Sequence, residues 1–210
     1  MFITFEGLDG SGKTTQFHRL TDWLRERGFD VLALREPGGT PIGEAVRDIV
    51  HDHAHADMDA RAELLLYCAS RAQLSAQRIK PHLDKGDVVM CDRFADSTLA
   101  YQGYGRGLDL AFLRMLVQFA THTIKPDLSL YFDVPLDVGL TRRSSGGEWN
   151  RLDAESMEFH GRAAKGYAEL IAAEPKRWLI IDGTPAIDLV TVEMIERVNT
   201  WLHNTDLQKS

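Results

Sequence analysis

One run of eight residues near the start of the chain constrains its fold more than any other feature. The pattern G-x-x-x-x-G-K-[ST] is matched without a gap by Gly7-Leu8-Asp9-Gly10-Ser11-Gly12-Lys13-Thr14. A β-prone run, Phe2-Ile3-Thr4-Phe5, precedes it, and a helical pattern from Thr14 to Arg27 follows it. Glycines let the backbone turn its N–H groups inward, which forms a nest for phosphate oxygens at a helix N-terminus. The context predicts a phosphate-binding loop (P-loop) in which Lys13 reaches the β- and γ-phosphates and Thr14 ligates Mg²⁺.

The remaining sequence predicts a single α/β domain, residues 1–210, around this loop. Short β-prone runs alternate with longer helical ones, which is typical of a parallel sheet covered on both faces. The predicted strands are Phe2–Glu6, Asp30–Arg35, Asp87–Asp92, Leu128–Val134 and Trp178–Asp182. The predicted helices are Thr14–Arg27, Ile42–His51, Ala60–Leu83, Leu110–Thr121, Leu136–Ser144, Ala154–Ala173 and Asp188–Asn204. Ligands of such sheets bind beyond the carboxyl ends of the strands, so we expect the site there.

Composition excludes several classes of partner. The formal net charge of −7 argues against a general nucleic-acid or anionic-membrane surface. Cys68 and Cys91 lie in apolar segments without metal or redox spacing, so we expect buried thiols in a reducing compartment. No apolar run is long enough to span a bilayer, and Met1 leads directly into the first predicted strand. The sequence therefore predicts a cytoplasmic protein without membrane or nucleic-acid partners.

Two apolar runs that end in an aspartate, Val88–Asp92 and Ser129–Asp133, could supply the acidic partner of the P-loop. A carboxylate at the end of a strand beside a P-loop holds the phosphate-bound Mg²⁺. We favour Asp92 for this role because Arg93 follows it directly, where a guanidinium can bind a second phosphate group. Asp133 stands two residues before Pro135 and is expected only to end its strand.

Arginines surround a glycine-bearing stretch late in the chain. Arg142, Arg143 and Arg151 flank the run Ser144-Ser145-Gly146-Gly147-Glu148, which reads as flexible. A flap that carries arginines can exclude water as it closes and stabilise charge on a transferred phosphoryl group. The sequence therefore predicts an Arg-bearing lid at about residues 142–153 and leaves open which arginine is catalytic.

A second group of residues is suited to a planar base. Tyr67 and Arg71 are four residues apart on a predicted helix, so a ring that can stack and a guanidinium that can donate share one face. The polar stretch 96–107 follows Asp92 and Arg93 and is expected to face the substrate as a loop or short helix. The segment 51–55, with three histidines, is expected instead to be a solvated surface.

Together these features are typical of a small-molecule kinase. A P-loop, a Mg²⁺-associated carboxylate, an adjacent phosphate-binding arginine and a lid account for both ends of a phosphoryl transfer. Two alternatives stay open at this point: a kinase for another nucleotide or small phosphorylated substrate, and an ATP-binding regulatory module without turnover.

Four motifs resemble those of the bacterial thymidylate kinases, in matching order from Met1 to about Tyr167. They are Phe5-Glu6-Gly7-Leu8-Asp9-Gly10-Ser11-Gly12-Lys13-Thr14-Thr15, Arg35-Glu36-Pro37-Gly38-Gly39-Thr40, Asp92-Arg93-Phe94 and Ser97-Thr98-Leu99-Ala100-Tyr101-Gln102-Gly103. The resemblance implies Mg²⁺-dependent transfer of the γ-phosphoryl group of ATP to dTMP, giving dTDP and ADP for dTTP biosynthesis. It also implies a P-loop three-layer sandwich with a five-stranded parallel sheet, and a homodimer.

The same resemblance implies roles for individual residues. Gly7, Leu8, Asp9, Gly10, Ser11, Gly12, Lys13 and Thr14 would bind ATP, and Thr14 and Asp92 would hold the metal. The implied catalytic residues are Lys13, Asp92, Arg93, Arg143 and Arg151. The residues implied in dTMP binding are Asp9, Pro37, Tyr67, Arg71, Arg93, Thr98, Tyr101 and Gln102.

The resemblance assigns different residues to the sugar and to the base of dTMP. Asp9 would contact the deoxyribose 3′-OH, and Tyr101 would exclude a ribose 2′-OH. Tyr67 stands where the family usually stacks a Phe on thymine, Arg71 would bond the base O4, and Thr98 falls on the N3 side. The lid reads Asn150-Arg151-Leu152-Asp153 where the family often has Asp-Arg before an apolar-acidic pair.

Overall fold

The computed structural model of the chain describes residues 1–146 and 149–205. One parallel sheet holds five strands in the order β2-β3-β1-β4-β5. The strands are β1 (Phe2–Glu6), β2 (Val31–Arg35), β3 (Val88–Asp92), β4 (Leu128–Asp133) and β5 (Trp178–Asp182). Each agrees with its predicted range to within one residue at either end, so the predicted parallel α/β sheet is confirmed. Asp133 ends β4, as expected.

Helices cover both faces of the sheet. They are α1 (Lys13–Glu26), α2 (Pro41–His51), α3 (Ala60–Leu74), α4 (Lys80–Asp84), α5 (Ala95–Thr98), α6 (Leu110–Ala120), α7 (Leu136–Ser145), α8 (Met157–Ala173) and α9 (Ile187–Asn204). Two π-helical segments, Ser75–Ile79 and Leu99–Gly105, continue α3 and α5, and short 3₁₀ turns cover His53–His55 and Pro175–Arg177. The predicted helices are thus present, with the differences described next.

Three helical predictions differ from the structure in detail. The helix predicted over Ala60–Leu83 is α3 and α4 joined by a π segment, whose i→i+5 bonding leaves no distinct mark in side-chain periodicity. The helix predicted from Ala154 begins at Met157 because the Ser156 hydroxyl accepts the N–H of Phe159 and caps it. The polar stretch 96–107 is mainly helical. Gly147 and Glu148 of the predicted lid, and the predicted frayed tail beyond Thr205, lie outside the described residues.

Alternation along the central strands divides the core between the two faces. Ile3 and Phe5 of β1 pack with α1 and α9 on one face, whereas Phe2 packs beneath the other. Glu6 shares the second face with Phe2, toward α5 and α8. The cysteines, at positions 68 and 91, are both buried free thiols, as predicted. Over the described ranges, no helix has the length and apolar character needed to cross a bilayer.

Candidate active site

The P-loop occupies the turn from β1 into α1 and depends on glycine at defined positions. Gly7, Gly10 and Gly12 have φ values of 141°, 77° and 84°, where side chains other than hydrogen are strained. A Cβ atom at Gly10 would lie only 1.9 Å from the carbonyl oxygen of Gly139 in α7. No side chain of the described residues caps the N-terminus of α1. Its N–H groups are therefore directed at the space in front of the loop, as an anion site requires.

Lys13 is buried within this loop. Its Nζ donates to the carbonyl oxygen of Leu8 at 3.2 Å and lies 3.8 Å from a carboxylate oxygen of Asp9. Burial lowers the pKa of Lys13, and the nearby Arg93 acts in the same direction. The ammonium is thus held within the loop by short local contacts that bound phosphate oxygens can replace.

Asp92 and Thr14 are in direct contact where β3 and the P-loop end. The Thr14 hydroxyl donates to Oδ2 of Asp92 at 2.7 Å. Oδ1 of Asp92 is buried and has no hydrogen-bond partner among the described residues. Mg²⁺ is commonly held by one or two carboxylates together with a hydroxyl, phosphate oxygens and waters. A carboxylate oxygen without a partner beside a P-loop hydroxyl fits this ion, whereas Asp133 is exposed at the end of β4.

Arg93 directly follows β3 in a left-handed conformation, with φ 70°. Its Nη2 donates to Asp9 Oδ1 at 2.7 Å and to the Tyr101 hydroxyl at 3.3 Å, and its Nη1 donates to Ser97 Oγ at 3.2 Å. The Tyr101 hydroxyl donates in turn to Asp9 Oδ2 at 3.0 Å. Burial opposes ionisation of Asp9, but Arg93 and Lys13 outweigh it and hold the pKa of Asp9 well below its usual range. Asp9 is therefore a permanent acceptor that joins the P-loop to Arg93.

Two cavities open at the carboxyl edge of the sheet. The inner cavity, of about 220 Å³, is lined by every residue that the sequence implied in dTMP binding. The P-loop cavity, of about 750 Å³, lies between the P-loop, Arg142 and the loop that starts at Gly183. Four of the described residues line both: Asp9, Lys13, Thr14 and Arg143. The two cavities therefore meet at the P-loop lysine.

The far end of the inner cavity is a fixed polar frame. Arg71 is 2% exposed; its Nε donates to Glu36 at 2.7 Å, Nη1 to the Thr98 hydroxyl at 2.8 Å and Nη2 to the Phe94 carbonyl at 3.0 Å. Because Thr98 accepts from Arg71, it keeps its own proton for donation. Tyr67 packs beside Val46 and Val50 of α2.

Gln102 completes this end of the cavity. Its Nε2 donates to Glu63 Oε1 at 2.9 Å. The carboxylate fixes the amide, since it can only accept when ionised, and Gln102 therefore retains its Oε1 as an acceptor.

The three lid arginines have separate partners. Nε and Nη2 of Arg143 donate to Asp153 at 2.8–3.0 Å. Arg142 lines the P-loop cavity and donates to the carbonyl oxygens of Gly183 and Thr184 at 2.7 and 3.1 Å. Arg151 is 4% exposed. In the part of the chain that the structure describes, it lines neither cavity. The lid therefore brings Arg143, but not Arg151, to the junction of the two cavities.

Arg151 is instead tied to the acceptor side of the molecule. It donates through Nε to the Val50 carbonyl at 3.0 Å and through Nη2 to the fully buried Glu63 at 2.5 Å. Its backbone N–H donates to the His51 carbonyl at 3.1 Å. These contacts attach the lid end to the last turn of α2, where a cation is favourable.

Sequence reasoning missed part of the wall of the inner cavity. Arg35, Glu36 and Arg47 line it, and Arg47 donates to the carbonyl oxygen of Pro37 at 3.1 Å. The expectation of a solvated segment at 51–55 is wrong for His51, which ends α2 and lines the cavity. Burial, and then Arg47, lower the pKa of His51 to about 4. The spacing i, i+4 of residues 47 and 51 was the available signal that both share one helix face.

The fold and site define a class: an α/β P-loop protein in which a phosphate nest and a separate arginine centre meet, as in the small-molecule kinases. The thymidylate kinase family model matches residues 5–194. The chain is 45% identical to the thymidylate kinase of Roseiflexus sp. (strain RS-1), covering 96% of this chain and 95% of that protein. It is 47% identical to that of Geotalea daltonii (strain DSM 22248 / JCM 15807 / FRC-32), covering 94% and 98%.

A solved structure shows the same relation. The crystal structure of thymidylate kinase from Ehrlichia chaffeensis matches with a TM-score of 0.78 at 36% identity, over 95% of this chain and 98% of that chain. The chain therefore belongs to the thymidylate kinase family. This membership confirms the family, the fold and the enzyme class predicted from the motifs.

Proposed function

We propose that this chain transfers the γ-phosphoryl group of ATP to dTMP and releases dTDP and ADP. The observation that carries the proposal is the junction of the two cavities at Asp9, Lys13, Thr14 and Arg143. A triphosphate in the P-loop cavity and a monophosphate in the inner cavity would meet end to end there, which is the arrangement an in-line transfer needs. Family membership supports this pair of substrates.

In the P-loop cavity, the loop amides and the N-terminus of α1 would hold the phosphates of ATP. Lys13 would exchange its contact with Leu8 for the β- and γ-phosphate oxygens. The adenine would lie against the segment 183–186, where Arg142 already donates to two carbonyl oxygens and presents a flat guanidinium. This assignment of the adenine end is supported by the residues that line the cavity.

Thr14 and Asp92 would hold Mg²⁺ beside these phosphates. The support is the buried Asp92 oxygen without a partner, next to a hydroxyl that the P-loop contributes. The ion, when bound, would neutralise charge on the phosphate oxygens. The Thr14 hydroxyl would offer a lone pair to the ion and would keep its donation to Asp92, because a hydroxyl has one proton and two lone pairs.

In the inner cavity, Arg93 and Arg47 would hold the phosphate of dTMP, and Asp9 would accept from the 3′-OH. Tyr67 would stack on the base and Arg71 would donate to its O4. Thr98 and Gln102 would face the N3 side, where the Gln102 Oε1 can accept from the N3–H. Pro37 would line the sugar side. The fixed Tyr101 ring, whose hydroxyl is bonded to Asp9, would leave no room for a 2′-OH.

Of the two candidate lid arginines, we propose that Arg143 carries the catalytic role. Arg143 lines both cavities, whereas Arg151 is held by Glu63 and the Val50 carbonyl. A guanidinium at the junction would stabilise charge on the phosphoryl group as it moves between the two nucleotides.

We also propose a cytoplasmic homodimer in which residues 1–210 form one kinase domain with its lid at about 142–153. The support for a dimer is an apolar face on α6, where Phe112, Met115 and Phe119 are 53%, 64% and 80% exposed. Leu65 of the neighbouring α3 extends it. Apolar faces of this kind mark protein interfaces more often than free surface.

A coupled assay of ADP release tests the reaction. Wild-type protein is given MgATP and, separately, dTMP, dUMP, UMP, CMP, AMP or GMP at equal concentrations. We expect dTMP to be the best acceptor by kcat/KM. A better acceptor among the others would refute the substrate assignment, and no ADP release with any of the acceptors would favour an ATP-binding module without turnover.

A further inference from the structure

The turn that carries Arg93 adopts a conformation that its own sequence does not favour. Arg93 has a φ of 70°, a region that residues with a Cβ rarely occupy. Such a conformation persists only where surrounding contacts fix it. Its backbone N–H donates to the Phe5 carbonyl at 2.9 Å, and the next N–H, of Phe94, donates to a side chain of β1. That side chain is Glu6.

Glu6 is a fully buried carboxyl group directly behind Arg93. Its Oε1 accepts the Phe94 N–H at 3.0 Å, and its Oε2 accepts from Ser97 Oγ at 2.6 Å and from the Tyr167 hydroxyl at 2.8 Å. Ser97 also accepts from Arg93 Nη1 at 3.2 Å. One carboxyl group thus fixes both the residue after Arg93 and the hydroxyl that meets its guanidinium.

We propose that Glu6 is a positioning residue for the acceptor phosphate, acting through Phe94 and Ser97 on Arg93 and supported from α8 by Tyr167. Of the described residues that line the inner cavity, Ser97 is one and Glu6 is not, so Glu6 acts only through its neighbours. The inference rests on the proposed role of Arg93 in binding the phosphate of dTMP.

The hydroxyl contacts also indicate how a buried acid is accommodated. Glu6 Oε2, Ser97 Oγ and Tyr167 Oη form a triangle with sides of 2.6, 2.8 and 2.9 Å. When both hydroxyls donate to Oε2, the contact between Ser97 and Tyr167 has no proton; when Glu6 is protonated, its O–H can donate to one hydroxyl, whose own proton is then free for the other. Burial, and then the negative charge of Asp96, raise the pKa of Glu6 to about 7, which makes that proton accessible near neutral pH.

Stability alone does not account for a glutamate at position 6. A buried carboxyl group costs free energy that an apolar side chain of the same size would not, so stability alone does not favour glutamate here. Its neighbour on the same face of β1, two residues earlier, is Thr4, which is satisfied by a single contact with Ser129. What Glu6 adds is the simultaneous hold on the two groups that set the direction of Arg93.

The test compares Michaelis constants for the two substrates in variants of Glu6 and Tyr167. We expect Glu6→Ala to raise the KM for dTMP about tenfold, the size of one lost hydrogen bond to a charged group, with the KM for ATP unchanged. Tyr167→Phe should raise it about threefold, because a single neutral contact is lost. Glu6→Gln should stay close to wild type, since its amide can accept from Phe94 and donate to both hydroxyl oxygens.

The matched control is Tyr131→Phe. Tyr131 is also a buried tyrosine, its ring centroid is 5.1 Å from that of Tyr167, and its hydroxyl has no hydrogen-bond partner within the described ranges. We expect both Michaelis constants of this variant to match wild type.

Three results would overturn the inference: lower melting temperatures with both Michaelis constants unchanged, equal rises for ATP and dTMP, or a Glu6→Gln variant as impaired as Glu6→Ala. If Glu6→Ala does not fold, the Michaelis constants of Tyr167→Phe alone decide the test.

The Arg93→Ala variant distinguishes a failure of this inference from a failure of the proposed function. A rise in the KM for dTMP in that variant, without one in the Glu6 and Tyr167 variants, refutes only this inference. A wild-type protein that does not phosphorylate dTMP refutes the proposed function instead.

Discussion

The two candidate catalytic arginines of the lid, Arg143 and Arg151, should give different defects when each is replaced by alanine. Arg143 lies where the cavities meet and is bonded to the buried carboxylate of Asp153. Arg151 is buried against Glu63 and the Val50 carbonyl. We therefore predict that Arg143→Ala is mainly a catalytic defect and that Arg151→Ala is mainly a stability defect.

The magnitudes follow from what each side chain contacts. Removing one partner of a buried ion pair costs about 3–5 kcal/mol when the remaining charge is uncompensated. Glu63 would keep Gln102 and Arg106, at 2.9 and 2.8 Å, so we expect Arg151→Ala to cost about 3 kcal/mol. In a chain of this length that lowers Tm by about 6–12 °C. Removing the charge of Arg143 from the junction should lower kcat at least about a hundredfold.

The assay measures kcat at saturating ATP and dTMP at 25 °C, and thermal unfolding by circular dichroism, for both variants. Among the described residues, Arg143→Ala also leaves the Asp153 carboxylate with only the Asn150 N–H, at 2.9 Å. Some loss of Tm is therefore expected in this variant too, and kcat is the discriminating quantity. A hundredfold loss of kcat in Arg151→Ala at unchanged Tm, with near-normal turnover in Arg143→Ala, would refute this reading of the lid.

Three further variants test other parts of the site and surface. Tyr101→Ala should raise the use of ribonucleotide relative to deoxyribonucleotide acceptor about tenfold, because the ring acts by exclusion; an unchanged ratio of kcat/KM values would contradict this. Asp92→Asn should raise the Mg²⁺ concentration needed for half-maximal activity about tenfold or more, and an unshifted Mg²⁺ titration would remove Asp92 from the metal site. Phe119→Asp should convert a dimer to monomer in light scattering at micromolar concentration, while Val192→Asp, 55% exposed on α9, should not; equal masses for both variants would place the interface elsewhere.

The fold was predictable because its signals are local. Each central strand is a short apolar run, and Gly28 and Gly86, with φ values of 85° and 87°, stop the helices before β2 and β3. The P-loop is equally local, since a strand, glycines, a lysine and a helix are contiguous in sequence. The P-loop part of the site can therefore be predicted from eight residues and from the strand and helix on either side of them.

The wall of the inner cavity was harder to predict because it depends on contacts between distant segments. Glu63 and Arg151 are 88 residues apart and Glu6 and Tyr167 are 161 apart, so no window of sequence contains either pair. His51 ends a helix whose cavity-facing side is decided by packing on α3. The π segment Leu99–Gly105 also shifts the face on which Tyr101 and its neighbours lie, relative to an α-helix.

The acidic net charge of the chain and its proposed binding of two phosphorylated substrates are compatible because carboxylates stand behind the cations of the site. Arg93 and Lys13 share Asp9, and Arg71 is paired with Glu36. These pairs fix the direction of each cation before any substrate arrives, which is the preorganisation that electrostatic stabilisation requires. Replacing a carboxylate of such a pair would leave the positive charge in place, but the side chain that carries this charge would no longer be held in one orientation. We therefore expect substitutions of these acids to impair binding of an anion that they themselves repel.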